Sequence, residues 1–168
     1  MNQKTWSIVL GLLLANAGTQ TALFAAEHPE HPTGGKDRSA AQKSSDQQKE
    51  KDAFEMDVKN YIKSEAKKTG GVFTVRDDVQ NKDWKLNLVK VHKNKICMLD
   101  QGKTCFACAD LNEVNGKNKL DLDFYASHAA DGTTSVTKVI IHKLNGKPRF
   151  TYDSNNNIVP TPEAKPGA

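Results

Sequence analysis

Thr104–Ser127, TCFACADLNEVNGKNKLDLDFYAS, decides the fold. Ala107, Ala109 and Leu111 alternate with polar or reactive residues before Asn115-Gly116, and Leu120, Leu122 and Phe124 alternate after it. A period of two is what a strand needs when one of its faces is buried. Asn-Gly supplies the positive backbone angles of a tight hairpin. Pairing outward from that turn sets Leu111 opposite Leu120, Ala109 opposite Leu122 and Ala107 opposite Phe124.

Two further turn dipeptides, Asp131-Gly132 and Asn145-Gly146, extend the same logic through strands at Thr133–Leu144 and Lys147–Asp153. They carry the apolar face on through Val139, Ile141, Phe150 and Tyr152. Shorter runs at Val72–Arg76 and Trp84–His92 read as strands before this meander. Upstream, Phe54, Val58, Tyr61, Ile62 and Ala66 recur at three and four, the stripe of an amphipathic helix, which Gly70-Gly71 ends. The expected fold class is α+β: one N-terminal helix packed on an antiparallel five- to six-strand meander.

The opposite face of the meander is polar. The registers place Asp110 opposite Asp121, Asp121 opposite His142, and His142 opposite Arg149. Beside that row run Cys108, Asp123, Ile140 and Thr151, then Phe106, Tyr125, Lys138 and Asp153. One reading is a ladder of cross-strand ion pairs on a wet surface, each contributing a few tenths of a kcal/mol. The other is a binding face made by Asp110, Asp121, Asp123, Tyr125, His142 and Arg149, in which Asp121 and His142 form an acid–base pair and Arg149 anchors an anion. No nucleophile, glycine-rich phosphate loop or zinc-spaced helix motif accompanies them. The expected function is therefore a non-catalytic binding or accessory module presenting this face to a protein or small ligand. A small enzyme using Asp121 and His142 is the alternative.

The first residues hold Asn2, Gln3 and Lys4, then an apolar run from Trp6 to Leu14 and a small-residue exit at Ala25-Ala26, the three parts of an export signal. This divides it into a signal peptide over 1–25, a disordered linker over 26–51, the α+β domain over 52–153 and a disordered tail over 154–168. A secreted or periplasmic location follows. No cysteine accepts a lipid after the apolar run, and no later stretch is long enough for a membrane anchor. Cleavage would remove Lys4 and no acid, taking the net charge from +4 to +3, too slight and too mixed in sign to address nucleic acid. The basic run Lys90, His92, Lys93 and Lys95 reads as a solvated strand edge. A free sheet edge or the Phe106/Tyr125 patch would serve a dimer as readily as a monomer.

An exported chain with three cysteines invites a disulfide. Cys97 with Cys105 closes a short loop, worth about 2–3 kcal/mol. Cys97 with Cys108 is the competing connectivity, and Cys105-Cys108 lacks the helix start that activates a redox pair. At the mature start, Ala26-Glu27-His28 offers an amine, two amides and an imidazole, a square-planar set for copper or nickel to which His31 adds an axial ligand.

The stretches CFACADL, KLDLDFYA and VIIHKLNGKPRFTY, with the leader AEHPEHP, resemble a group of small secreted bacterial proteins. The order of one helix and then a meander resembles the cystatin-like and nuclear-transport-factor-2-like architecture, which implies a curved sheet wrapped about a helix. The Gln-x-Val-x-Gly loop of protease-blocking cystatins is absent, as are the extra helices that build the deep pocket of nuclear-transport-factor-2-like enzymes.

Overall fold

The computed structural model describes residues 31–32 and 43–162. The expected signal peptide, the expected Ala26-Glu27-His28 chelate and the last residues of the expected tail lie outside them. Helix α1 (Lys43–Lys68) has neither glycine nor proline, and its i, i+4 stripe of Phe54, Val58 and Ile62 is buried. The helix starts well inside the expected linker. Residues 46–50 are exposed, so no apolar stripe betrays this first part. It is held instead by local pairs such as Gln48 Nε2 donating to Asp52 at 2.8 Å, and by Lys93 Nζ at 2.5 Å from Asp52. At the other end, Gly70 and Gly71 take positive φ and the Gly71 amide reaches back to the Ala66 carbonyl at 2.8 Å, the six-to-one closure that stops a helix.

Beyond it lie β1 (Phe73–Asp77), β2 (Lys82–Val91), β3 (Cys97–Leu99), β4 (Thr104–Glu113), β5 (Lys119–His128), β6 (Thr134–Leu144) and β7 (Lys147–Pro148), all antiparallel in one sheet. The order is β1-β2-β4-β5-β6-β7, with β3 also paired to β4. The fold is therefore α+β, one helix on a curled antiparallel sheet of seven strands rather than five or six. No helix among the described residues is long and apolar enough to cross a membrane.

The sheet face under α1 is built as the alternation predicts. Ala107, Ala109, Leu111, Leu120, Leu122, Phe124 and Ile141 are buried with Phe54, Val58 and Ile62 in one core. The alanines at 107, 109 and 126 sit directly in this layer, where a larger side chain would overpack. The β4–β5 register agrees pair for pair with the hairpin reading, including Asp110 opposite Asp121.

The β5–β6 register agrees only in its middle, where Asp123 faces Ile140 and Tyr125 faces Lys138. Shifts at Asp121/Leu122 and Tyr125/Ala126 leave His142 and Thr137 as extra residues, so Asp121 stands opposite Lys143 instead of His142. Such bulges bend a strand and re-aim its side chains. The hairpin dipeptides fix the pairing near each turn but carry no information about a bulge several residues away.

The largest departure comes after β7. Strands β8 (Phe150–Tyr152) and β9 (Ile158–Pro160) pair with each other and not with β6. The expected disordered tail thus contributes a strand. Phe150 and Tyr152, expected under the helix, pack instead on the other side of the sheet, Phe150 stacked on His142 with ring centres 4.7 Å apart and Tyr152 edge-on to Phe106 at 6.2 Å. The expected wet surface is therefore covered. Sequence alternation cannot register this change, because two apolar residues spaced by two look alike whichever face they cover.

Arg149 is where the chain turns. Its guanidinium donates two hydrogen bonds of 2.7 Å to Asp77, a fork-on-fork pair with a carboxylate that is 1% exposed. Asp77 also accepts from the Trp84 indole at 2.8 Å and from the amides of Val79 and Gln80. Burial pushes the Asp77 carboxyl up, but the hydrogen bonds from Arg149 and Trp84 outweigh it and hold it down at about 2. Arg149 thus pins the start of the covering hairpin to the end of β1.

Candidate metal centre

β4 and β5 set Cys108 opposite Asp123, and His142, the extra residue of the β6 bulge, lies on the same side. Asp123 and His142 are both fully buried, and Cys108 is 1% exposed. His142 is boxed by aromatic rings: Phe150 lies parallel to it, and Tyr152 stands edge-on at 6.2 Å. The remaining side is closed by the leader. His31 meets His142 edge-on with ring centres 5.3 Å apart, and the buried Pro32 accepts from the Cys97 thiol at 3.8 Å.

The hydrogen bonding inside this enclosure is incomplete. Tyr152 donates to Asp123 Oδ2 at 2.8 Å, so in the Tyr125–Tyr152 hydroxyl pair Tyr125 is the donor. That relay occupies one oxygen of Asp123 and aims the other inward. Asp123 Oδ1, Asp121 Oδ1, His31 Nδ1 and both ring nitrogens of His142 are buried without a hydrogen-bond partner. His142 Nδ1 lies 3.5 Å from Asp123 Oδ2. Each buried polar atom left unpaired costs about 1–3 kcal/mol, so such atoms are few in folded proteins and a cluster of them has a reason.

Two sets of donor atoms converge, each within 4.8 Å: Asp121, Asp123 and His142, and His31, Cys108 and Asp123. Asp123 belongs to both. Donors bound to one ion at 2.0–2.3 Å stand about 3–4 Å from one another, so these side chains need close up only slightly.

The electrostatics fit a cation. Burial, and then the charge of Asp123, push the Asp121 carboxyl up to about 6. Burial brings the His31 imidazole down to about 4, further lowered by His142 and resisted by Asp123. Burial, with the charges of Asp121 and Asp123, drives the Cys108 thiol up as well. The charges of His142 and Lys143 pull the Asp121 carboxyl back down, but by less than burial and Asp123 raise it.

The sequence placed the other candidates less well. Asp110 pairs at 2.9 Å with His92, just past the end of β2, and is half exposed. Arg149 belongs to Asp77. Tyr125 reaches the centre through Tyr152, and burial pushes its hydroxyl up to about 12. His28 lies outside the described residues, whereas His31 sits on the domain and not on a separate chelate.

All three cysteines are free. The expected Cys97–Cys105 bridge fails for a geometric reason: Cys97 faces Phe106 and Met98 faces Cys105 in the β3–β4 register, so the two thiols emerge on opposite faces. Cys105 lies in the core under α1, while Cys97 and Cys108 pack in the cluster under the covering hairpin. Cys97 opens the short strand β3, which its three residues are too few to mark in the sequence. Cys108 is the functional candidate that alternation alone flags, since it shares a face with Asp123.

Comparison of the chain with protein families, with curated proteins and with solved structures gives no match.

Proposed function

We propose that the protein is an exported, non-catalytic metal-binding module that holds a divalent transition-metal cation on Asp121, Asp123 and His142. The observation that carries this reading is the convergence of unpartnered donors: His142 and Asp123 are fully buried, and neither His142 nitrogen nor Asp123 Oδ1 has a hydrogen-bond partner. A cation pairs Asp123 Oδ1 and one His142 nitrogen at once. Imidazole with carboxylate suits zinc, nickel, cobalt or copper better than magnesium or calcium, which take oxygen-rich sets. The export signal over 1–25 supports a role outside the cytoplasm. The curled sheet around one helix supports a cystatin-like architecture, used here as a scaffold for the centre. An open docking face for a protein partner no longer fits, because the C-terminal hairpin covers it.

Competition titration of Zn(II) against a chelating indicator tests the reading. One equivalent is expected to bind the full chain, and His142→Ala and Asp123→Ala are each expected to weaken it by about tenfold or more. Absence of uptake by the wild-type chain, or uptake indifferent to both substitutions, overturns it.

A further inference from the structure

We propose that His31 and Cys108 take the ion together with Asp123 and His142, in place of Asp121, so that one thiophilic cation of the zinc class is held by His31, Cys108, Asp123 and His142, with its fourth side supplied by the leader. This rests on the metal-binding reading above and names the ligand set and the class of ion.

Three independent placements support it. First, Cys108 and Asp123 are direct cross-strand partners, and their donor atoms converge with that of His31 within 4.8 Å. Second, the His31 and His142 rings are 5.3 Å apart at 84°. Two imidazoles bound through nitrogen to one tetrahedral ion at about 2.0–2.1 Å have their centres about 5 Å apart, close to the separation of these rings, and the two donor sets they belong to meet at Asp123. Third, His31 is anchored: Pro32 is buried and receives the Cys97 thiol, while His31 Nδ1 is itself buried and unpartnered.

The thiol selects the ion. A thiolate beside two imidazoles and one carboxylate is a zinc-like set, borderline in softness and closed to magnesium and calcium. On binding, Cys108 gives its proton to solvent and its sulfur lone pair to the metal, and no electron changes hands. Asp121 remains beside the ion as the neighbouring carboxylate. The leader thus becomes part of the centre.

Co(II), which takes zinc positions and reports thiolate ligation by charge-transfer absorption in the near ultraviolet, tests this on the full chain kept reduced. It also sidesteps any copper- or nickel-type chelate at a free N-terminus, which has no thiolate. The expected result is one Co(II) per chain with the thiolate band present, the band lost in Cys108→Ser, and Zn(II) affinity reduced by about tenfold or more in His31→Ala. One Co(II) bound without the band in the wild-type chain, a band that survives Cys108→Ser, a second Co(II) at full occupancy, or unchanged affinity in His31→Ala overturns this ligand set and leaves the Asp121/Asp123/His142 reading standing. No uptake by the wild-type chain overturns both.

Discussion

The two faces of one sheet are both buried, but by different means. Under α1 the face is alanine, leucine and phenylalanine, every position apolar, and burial is its own reward. Under the β8–β9 hairpin the face is Asp123, His142 and Cys108 set among Phe106, Phe150 and Tyr152, and burial leaves polar atoms without partners. One face is optimised for folding. The other carries a destabilising load that a bound cation would relieve, a pattern expected where function and stability compete.

Truncating each face should break the symmetry between them. Phe124→Ala on the helix side removes a fully buried ring from the larger core and should destabilise by about 3–5 kcal/mol, read from the midpoint of urea unfolding. A loss below about 1 kcal/mol would mean the helix-side core is looser than its burial implies.

Acid should sharpen the contrast at Asp77, the joint between the faces. Its carboxyl is held down at about 2 in the folded protein, against an ordinary value near 3.8. A lowered folded value means the contribution, about 2 kcal/mol, is fully present above pH 4 and is lost as pH falls from about 4 to 2. Urea midpoints measured across that interval should fall for the wild-type protein. They should fall less for Asp77→Asn, which starts lower and has no carboxylate there to titrate.

His142→Phe gives the smallest change and the most telling sign. The ring already stacks on Phe150 and has two unpartnered nitrogens. An apolar ring of similar shape removes that penalty, so the metal-free variant should be as stable as wild type or more stable by about 1 kcal/mol, while Zn(II) uptake is lost. A clear destabilisation of the metal-free protein would place His142 among structural residues.

What the sequence makes legible follows from local periodicity. The helix stripe Phe54, Val58 and Ile62 and the β4–β5 register were legible because each is written within a few residues of its turn or cap. The candidate site was legible in part: Asp121, Asp123, Cys108 and His142 share a face by alternation alone. His31 was not, because it reaches the face through space and its sequence neighbourhood says nothing of where it docks. The first turns of α1 escaped notice because they bury nothing, and β9 because three residues between polar ones make no pattern.

The sequence by itself determined the α+β class, the helix-side core and the composition of the polar face, since those follow from side-chain period and turn chemistry. Only the tertiary structure decided that the polar face is closed. The bulge at His142, the Arg149–Asp77 fork that turns the chain, and the docking of His31 are long-range events. Their energy comes from contacts between segments distant along the chain, which no local pattern encodes.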